Sequence, residues 1–246
     1  MKHKTIIFSL LFSLHCTLWG QTSNHTIKIS NDIDLIRLSP NAYIHVSRAN
    51  MGSFGLVSSN GLIFIDKGLA FLFDTAIDDA QTKTLITWVE KNLHVAFVGF
   101  VPNHWHGDCM GGLAYLKSRH IPSYANQMTI DLAKKNHLPF PDKGFRDSLK
   151  LKLNDKAIEC YYPGAAHSTD NIVVWIPSEK ILFAGCMAKE MQSTSKGNLA
   201  DADIKAWPNT IKKVMAKFPS ARIVIPGHGA FGGFEILPHT LEIVSK

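Results

Sequence analysis

The stretch "PNHWHGDCMGG", Pro102–Gly112, decides how this chain reads. His104, His106 and Asp108 alternate along it, and Cys109 and two glycines follow. Alternation in a strand ordinarily lines one face with apolar residues. Here the alternating set is imidazole, imidazole and carboxylate. All three groups can ligate a metal, and all three are costly to bury without a partner. The stretch follows the apolar run "VAFVGFV" (95–101), so the three groups sit at the end of a short strand. The rest of a coordination shell must come from elsewhere in the chain.

Three later segments share one design, a strand edge or loop that carries a possible ligand beside small residues. They are "PGAAHSTDN" with His167, "FAGCMAK" with Cys186 and "IPGHGAFGG" with His228. Glycine and alanine beside a ligand let the backbone approach an ion closely. Zinc accepts His nitrogen, Cys sulfur and carboxylate oxygen, and catalytic zinc sites commonly keep three protein ligands and an open position. The six candidates divide into His104, His106 and His167 for one ion, and Asp108, Cys186 and His228 for a second. Three neutral imidazoles leave the first ion at its full charge, whereas Asp108 and Cys186 neutralise the second. A site of that kind attracts an anionic substrate and activates water at neutral pH. Any one of these histidines alone is more simply an ordinary loop residue. The alternating motif followed by three further segments is much more specific.

Around these segments the chain reads as paired strands with interspersed helices. "TIKIS", "DLIRL" and "AYIHVSR" are strand-like, and "GLIFIDKGLAFLFDT" reads as a hairpin turning at Lys67-Gly68. In "DDAQTKTLITWVEKNL" the residues Leu85, Ile86, Val89 and Leu93 share one helical face, and Asp78 or Asp79 can cap it. Helices are expected over 112–119, 129–135 and 204–217, and a last one near "EILPHTLEIV" with Pro238 disturbing its start. Strands in pairs and runs suit two packed sheets with helices outside, rather than one doubly wound sheet.

The chain has 246 residues, 46% of them hydrophobic and 19% charged, so a normal packed core is expected. Its formal charge is +6, with no basic cluster interleaved with aromatics, which argues against a nucleic-acid partner. Residues 1–20 read as a secretory signal: Lys2 and Lys4 precede an apolar stretch too short and interrupted for a good membrane span. Cleavage after Gly20 leaves one domain over 21–246, expected in the periplasm with no membrane attachment. No oligomerisation signal is visible, and monomer is the default. Cys160 reads as a small buried hydrophobe. A disulfide between Cys109 and Cys186 is one possibility, and metal coordination by at least one of them is the other. In an extended segment Cys109 would point away from Asp108 and take no part as a required ligand.

The segments "NHWHGDCMGG", "GAAHSTDNIVVW", "LFAGCMAKE", "KGNLADAD" and "PGHGAFGG" closely resemble the class B β-lactamases, the zinc-dependent enzymes, and within them subclass B1. The resemblance covers essentially the whole chain after the leader. It is nearest to the carbapenem-hydrolysing branch with Cys after the motif's Asp. It implies a mixed α/β (α+β) fold, a four-layer αβ/βα sandwich with two Zn2+ ions in a groove at its edge. It also implies the ligand division given above. The expected reaction is hydrolysis of the amide bond of a small-molecule β-lactam (penicillins, cephalosporins, carbapenems), which confers antibiotic resistance. Asp108 is expected to orient the attacking water. Lys189 matches the lysine that holds the substrate carboxylate, with a plain surface lysine as the alternative. Asn198 matches an asparagine near the lactam carbonyl, with a turn residue as the alternative. Phe54, in the loop "ANMGSFG", matches the aromatic cover of a mobile flap. Asp74 and Asp170 are candidate supports for the ligand histidines, or structural carboxylates. Relatives that cleave thioesters or lactones typically carry His after the motif's Asp and a bridging Asp at the position of Cys186. This chain has Cys109 and Cys186 instead. A non-catalytic exported zinc-binding protein is the reading from another class.

Overall fold

The computed structural model describes residues 25–52 and 55–246. Six strands form a first sheet in chain order: β1 (Thr26–Lys28), β2 (Ile33–Arg37), β3 (Ala42–Asn50), β4 (Leu56–Asp66), β5 (Leu69–Phe73) and β6 (Ala96–Val101). All neighbours are antiparallel except β5 and β6, which α1 (Asp79–Leu93) connects as a crossover. Helix α1 forms because Leu85, Ile86 and Val89 bury one face against the sheet. The Asp78 carboxylate accepts the Gln81 N–H at 2.7 Å to cap its start. At its end His94 turns left-handed, φ 53°.

After β6 come a four-residue turn of helix, α2 (Gly107–Met110), then α3 (Leu113–Ser118), β7 (Tyr124–Asn126), α4 (Gln127–Lys135) and β8 (Lys143–Phe145). Strands β7 and β8 pair as a small parallel sheet that the sequence reading did not foresee. The second large sheet, ordered β13-β12-β11-β10-β9, is built from β9 (Ser148–Leu153), β10 (Lys156–Tyr161), β11 (Val173–Ile176), β12 (Ile181–Gly185) and β13 (Ile223–Pro226). Here too the last two strands are parallel, and α5 (Trp207–Lys217) joins them. The chain ends in α6 (Ile236–Val244). Helix α5 starts three residues later than the periodicity predicts. Pro208 lacks the N–H that a helix interior needs and sits in the first turn instead. Pro238 occupies the first turn of α6 for the same reason.

The two sheets face one another. Ile44, Phe64 and Phe73 of the first meet Ile158, Val174 and Phe183 of the second in one buried cluster. The outer face of the first sheet packs on α1 and α3, and that of the second on α5 and α6. The layers are therefore helix, sheet, sheet, helix, as expected. Truncating a central side chain such as Phe183 to Ala costs on the order of 3–5 kcal/mol.

This arrangement positions the site. Strands β6, β12 and β13 are followed directly by the segments that carry the candidate ligands. Open α/β sheets bind ligands at the carboxyl ends of parallel strands, where backbone groups are unpaired. Strands β3 and β4 also reach this region, paired as far as Asn50↔Leu56. Phe54 lies outside the described residues.

Candidate metal centre

His104 is fully buried at the end of the segment after β6. Its Nε2 lies 2.8 Å from His106 Nδ1, and the His167 ring stands edge-on to both imidazoles, with centroids 5.0 and 5.4 Å away. One donor atom from each of the three falls within 4.8 Å of the others. The second expected set also converges. Cys186 Sγ is 3.4 Å from Asp108 Oδ2 and 3.3 Å from His228 Nε2, and Asp108 Oδ2 is 3.2 Å from His228 Nε2. Four donors placed tetrahedrally at zinc's bond lengths stand roughly 3.3–3.7 Å apart. The second set already has about that spacing, so its residues fit a zinc ion. The two sets touch, His104 Nε2 lying 4.0 Å from Asp108 Oδ1.

Local backbone explains the convergence. His106 is the last extended residue, φ −69° and ψ 162°, and Gly107–Met110 then turns helical. The turn separates Asp108 from the two histidines and aims it at the second set. On the opposite side, Gly185 ends β12 at φ 59°, a left-handed conformation that glycine adopts freely. Gly227 lies so close to Cys186 that any Cβ there would collide with the thiol.

The helical turn overturns the orientation expected for Cys109. Its side chain does not point away. Cys109 Sγ lies 3.1 Å from His104 Nδ1, and the thiol belongs to a donor group with His104, Asp108 and Cys186. Cys109, Cys160 and Cys186 are all free and buried, so the possible disulfide is not formed.

Asp74 and Asp170 do not hold the histidines. The Asp74 carboxylate accepts the backbone N–H of Asn103 at 2.5 Å and lies near the Cys109 thiol. Asp170 bonds the hydroxyls of Ser168 and Thr129. The partners of the ligand rings are others. His228 Nδ1 bonds the Ser58 carbonyl at 2.8 Å, and His106 Nε2 bonds Asp201 Oδ2 at 2.8 Å. Neither partner was foreseen, since neither Ser58 nor Asp201 lies in the segment of the histidine it bonds.

Electrostatics prepare most of these groups to bind a cation. Burial holds His104 well below its usual range and brings His167 down to about 3, so both are neutral. Burial pushes Asp108 up, but the bond from His228 and the neighbouring imidazoles outweigh it and hold it well below the carboxylate range. A hydrogen bond from Cys109 brings the Cys186 thiol down to about 6, against the effect of burial. The Cys186 thiolate in turn raises His228 to about 11. The second set is thus a thiolate and a carboxylate held together by one imidazolium proton, which an arriving ion replaces.

Beside the histidines lies a cavity of about 500 Å³ with largely apolar walls. Met51 and Val57 from the hairpin, Trp105, and Gly197, Asn198 and Asp201 line it. Asn198 is exposed, and its Oδ1 accepts the Ala200 N–H at 3.1 Å, so it shapes its own turn as well as facing the cavity. Lys189 is not a surface lysine, being only 9% exposed. Its ammonium stands 5.2 Å over the Trp207 ring, beneath Gly197. Burial lowers its pKa, and the charges of Cys186 and Asp108 oppose the shift.

Comparison with known proteins agrees with this architecture. The family model described as metallo-β-lactamase superfamily matches residues 104–228, from the first candidate ligand to the last. The metallo-β-lactamase type 2 of Bacteroides fragilis is 52% identical over 246 residues, 100% of this chain and 97% of that one. The type 2 enzyme of Bacillus cereus is 37% identical over 86% of this chain and 82% of its own. Among solved structures, a metallo-β-lactamase from Pontibacter korlensis superposes with a TM-score of 0.84 at 35% identity. It covers 87% of this chain and 99% of that one. Identity of this extent along the chain, joined to the same fold, places the protein in the metallo-β-lactamase family.

Proposed function

We propose that this protein hydrolyses the β-lactam amide bond with two zinc ions. One is held by His104, His106 and His167 and the other by Asp108, Cys186 and His228. The observation that carries the reading is the second donor set, in which a thiolate, a carboxylate and an imidazole stand 3.2–3.4 Å apart. Structural zinc sites rarely mix these three types beside a second, all-histidine set that opens on a cavity. When bound, zinc lowers the pKa of a coordinated water and polarises a carbonyl.

The chain's own residues supply the rest. The apolar wall of Met51, Val57 and Trp105 takes the substrate's side chain and keeps bulk water from the ring. Lys189 holds the substrate carboxylate, which fixes the lactam carbonyl over the histidines. Asn198 stands beside that carbonyl. Phe54 closes the hairpin tip over the ring. Asp108, ionised by its neighbours, accepts a hydrogen bond from the attacking water and orients it. The amide C–N bond breaks, the hydroxyl stays on the carbonyl carbon, and the ring nitrogen takes the proton. Before this, residues 1–20 direct export to the periplasm and are removed, and 21–246 acts as a monomeric single domain.

The test is metal content and turnover together. Purified protein should bind two zinc ions per chain and hydrolyse a chromogenic cephalosporin. EDTA should abolish the activity and added zinc restore it. Cys186→Ser should bind roughly one zinc and turn over much more slowly. Two tightly held zincs and unchanged turnover in that variant would remove Cys186 from the second set.

A further inference from the structure

Asp201 lies 95 residues from His106, on the loop that leads from Cys186 to α5, and bonds His106 Nε2 at 2.8 Å. The loop is anchored at both ends. At its start the Glu190 carboxylate accepts the Ala230 N–H and the Ser193 carbonyl bonds His239 Nε2. At its end the Asp203 N–H donates to the Ala166 carbonyl. Between these anchors, hydrogen bonds join Ala200 to Asn198 and Ala202 to Leu199, all within the loop. Among the described residues, the Asp201–His106 bond is the one hydrogen bond that ties residues 194–202 to the rest of the molecule. The same nine residues carry Gly197 and Asn198 to the cavity wall.

The two ring nitrogens of His106 face different partners, and one tautomer serves both. A neutral imidazole has one N–H and one lone pair. With Nε2–H directed at Asp201, the lone pair sits on Nδ1, the atom that faces His104 Nε2. A cation on Nδ1 withdraws charge from the ring and strengthens Nε2–H as a donor. A carboxylate on Nε2 in turn makes Nδ1 a better ligand. Binding free energies are reciprocal, so each event favours the other by the same factor.

We propose that Asp201 is a positioning residue that couples occupancy of the all-histidine metal site to the order of residues 194–202. An ion at His104, His106 and His167 tightens the tether, and the wall that bears Asn198 becomes fixed. In the metal-free protein the same wall hangs from a weaker bond. The substrate side of the cavity is therefore completed by the metal, at a loop that contributes no metal ligand. The proposal rests on the zinc reading above.

The test uses the full mature chain as parent, Asp201→Ala and Asp201→Asn, each metal-free and with one and two equivalents of zinc. Hydrogen–deuterium exchange is read on peptides covering 194–202, and zinc affinity is read by competition with a chromophoric chelator. In the parent, zinc should slow exchange of 194–202. In Asp201→Ala zinc should leave that exchange fast, and the all-histidine site should bind about 10–100-fold more weakly. Asp201→Asn keeps an acceptor without the charge and should fall between the two. At saturating zinc, Asp201→Ala should raise KM more than it lowers kcat. Equal slowing of 194–202 by zinc in parent and Asp201→Ala, or equal affinity for the first zinc, overturns the coupling. A parent that binds two zincs and hydrolyses a β-lactam while 194–202 exchanges as in the metal-free chain overturns the coupling alone. A parent that binds no zinc overturns both readings.

Discussion

His228 Nδ1 donates to the backbone carbonyl of Ser58 at 2.8 Å, and this one bond leaves the Nε2 of His228 facing Cys186 and Asp108. The two residues belong to different sheets. Ser58 is on β4 and His228 follows β13, so the bond carries the orientation of a ligand across the sandwich. It is held in register by Asn60, two residues along β4. The Asn60 side chain donates to the carbonyls of Pro226 and Gly229, and its N–H donates to the Gly227 carbonyl.

Asn60→Ala should therefore act on the metal site without touching a ligand. It strips the partner from two carbonyls in a loop it holds, at a cost on the order of 2–4 kcal/mol. Urea unfolding of the metal-free protein should show that loss, and zinc titration should show the second equivalent weakened more than the first. Equal loss at both equivalents would mean that the loop after β13 is positioned by other contacts.

Cys109 should support His104 and not replace it. Its thiol sits against His104 Nδ1, the nitrogen away from His106. Cys109→Ser keeps a hydroxyl in that place and should retain both zincs and most activity. Cys109→Val removes the partner of a buried ring nitrogen and should weaken the first zinc. Zinc content after gel filtration distinguishes the two, and loss of the second zinc in Cys109→Ser would make the thiol a ligand.

Lys189 lends itself to separating charge from packing. Lys189→Met keeps a stem of similar length over Trp207, whereas Lys189→Ala leaves a gap. Both should raise KM for penicillins and carbapenems, by an amount equivalent to about 1–3 kcal/mol for one charge-assisted bond. Only Ala should lower the melting temperature. Unchanged kcat/KM in both variants would confine Lys189 to packing.

His45 should make the metal-free protein lose stability in mild acid. It is fully buried, with Nε2 bonded to the Asp74 carbonyl at 3.0 Å, and burial lowers its pKa from 6.5 to about 4. Between these values the unfolded chain binds a proton that the folded chain refuses, so stability falls as pH falls. From pH 7 to pH 5 the loss from this group is about 2 kcal/mol. Denaturant midpoints of parent and His45→Gln at both pH values test it. The acid-induced drop should shrink in the variant, and an equal drop would assign it to other groups that burial keeps neutral, such as His104 and His167.

Much of this site was legible in one dimension because metal ligands advertise themselves by type. His104, His106, Asp108, His167, Cys186 and His228 all stand in small-residue contexts that periodic strands and helices do not explain. The layer order was legible for a similar reason, since apolar runs and amphipathic helices each show one period. What was missed depends on contacts distant in sequence. Asp201 looks like any acid in "KGNLADAD", and Asn60 like a turn residue. Their partners are 95 and 166 residues away. Of the two readings left open for Asp74 and Asp170, the structural one holds: they serve backbone and hydroxyl groups. The turn at Gly107–Met110 was missed because four residues with a glycine carry almost no helical signal. That turn reverses the direction of Cys109.

The ligand segments also divide evenly between the two halves of the sandwich. His104, His106 and Asp108 follow the last strand of the first sheet, and His167, Cys186 and His228 follow strands of the second. Bound ions would therefore rivet one half to the other, beside the hydrogen bonds that Asn60 and Ser58 already make to the loop after β13. Prying the halves apart then requires breaking coordinate bonds, which makes metal occupancy a brake on unfolding as well as a requirement for turnover. It also sets an order of assembly. The chain must be synthesised past His167 to complete the all-histidine set and past His228 to complete the second, and the two halves must have met, before each set is whole. A molecule trapped half-folded would hold zinc poorly and expose the thiols of Cys109, Cys160 and Cys186. Loading with metal is thus a late checkpoint on a completed fold, and chelation should shorten the protein's lifetime against proteases as well as silence it.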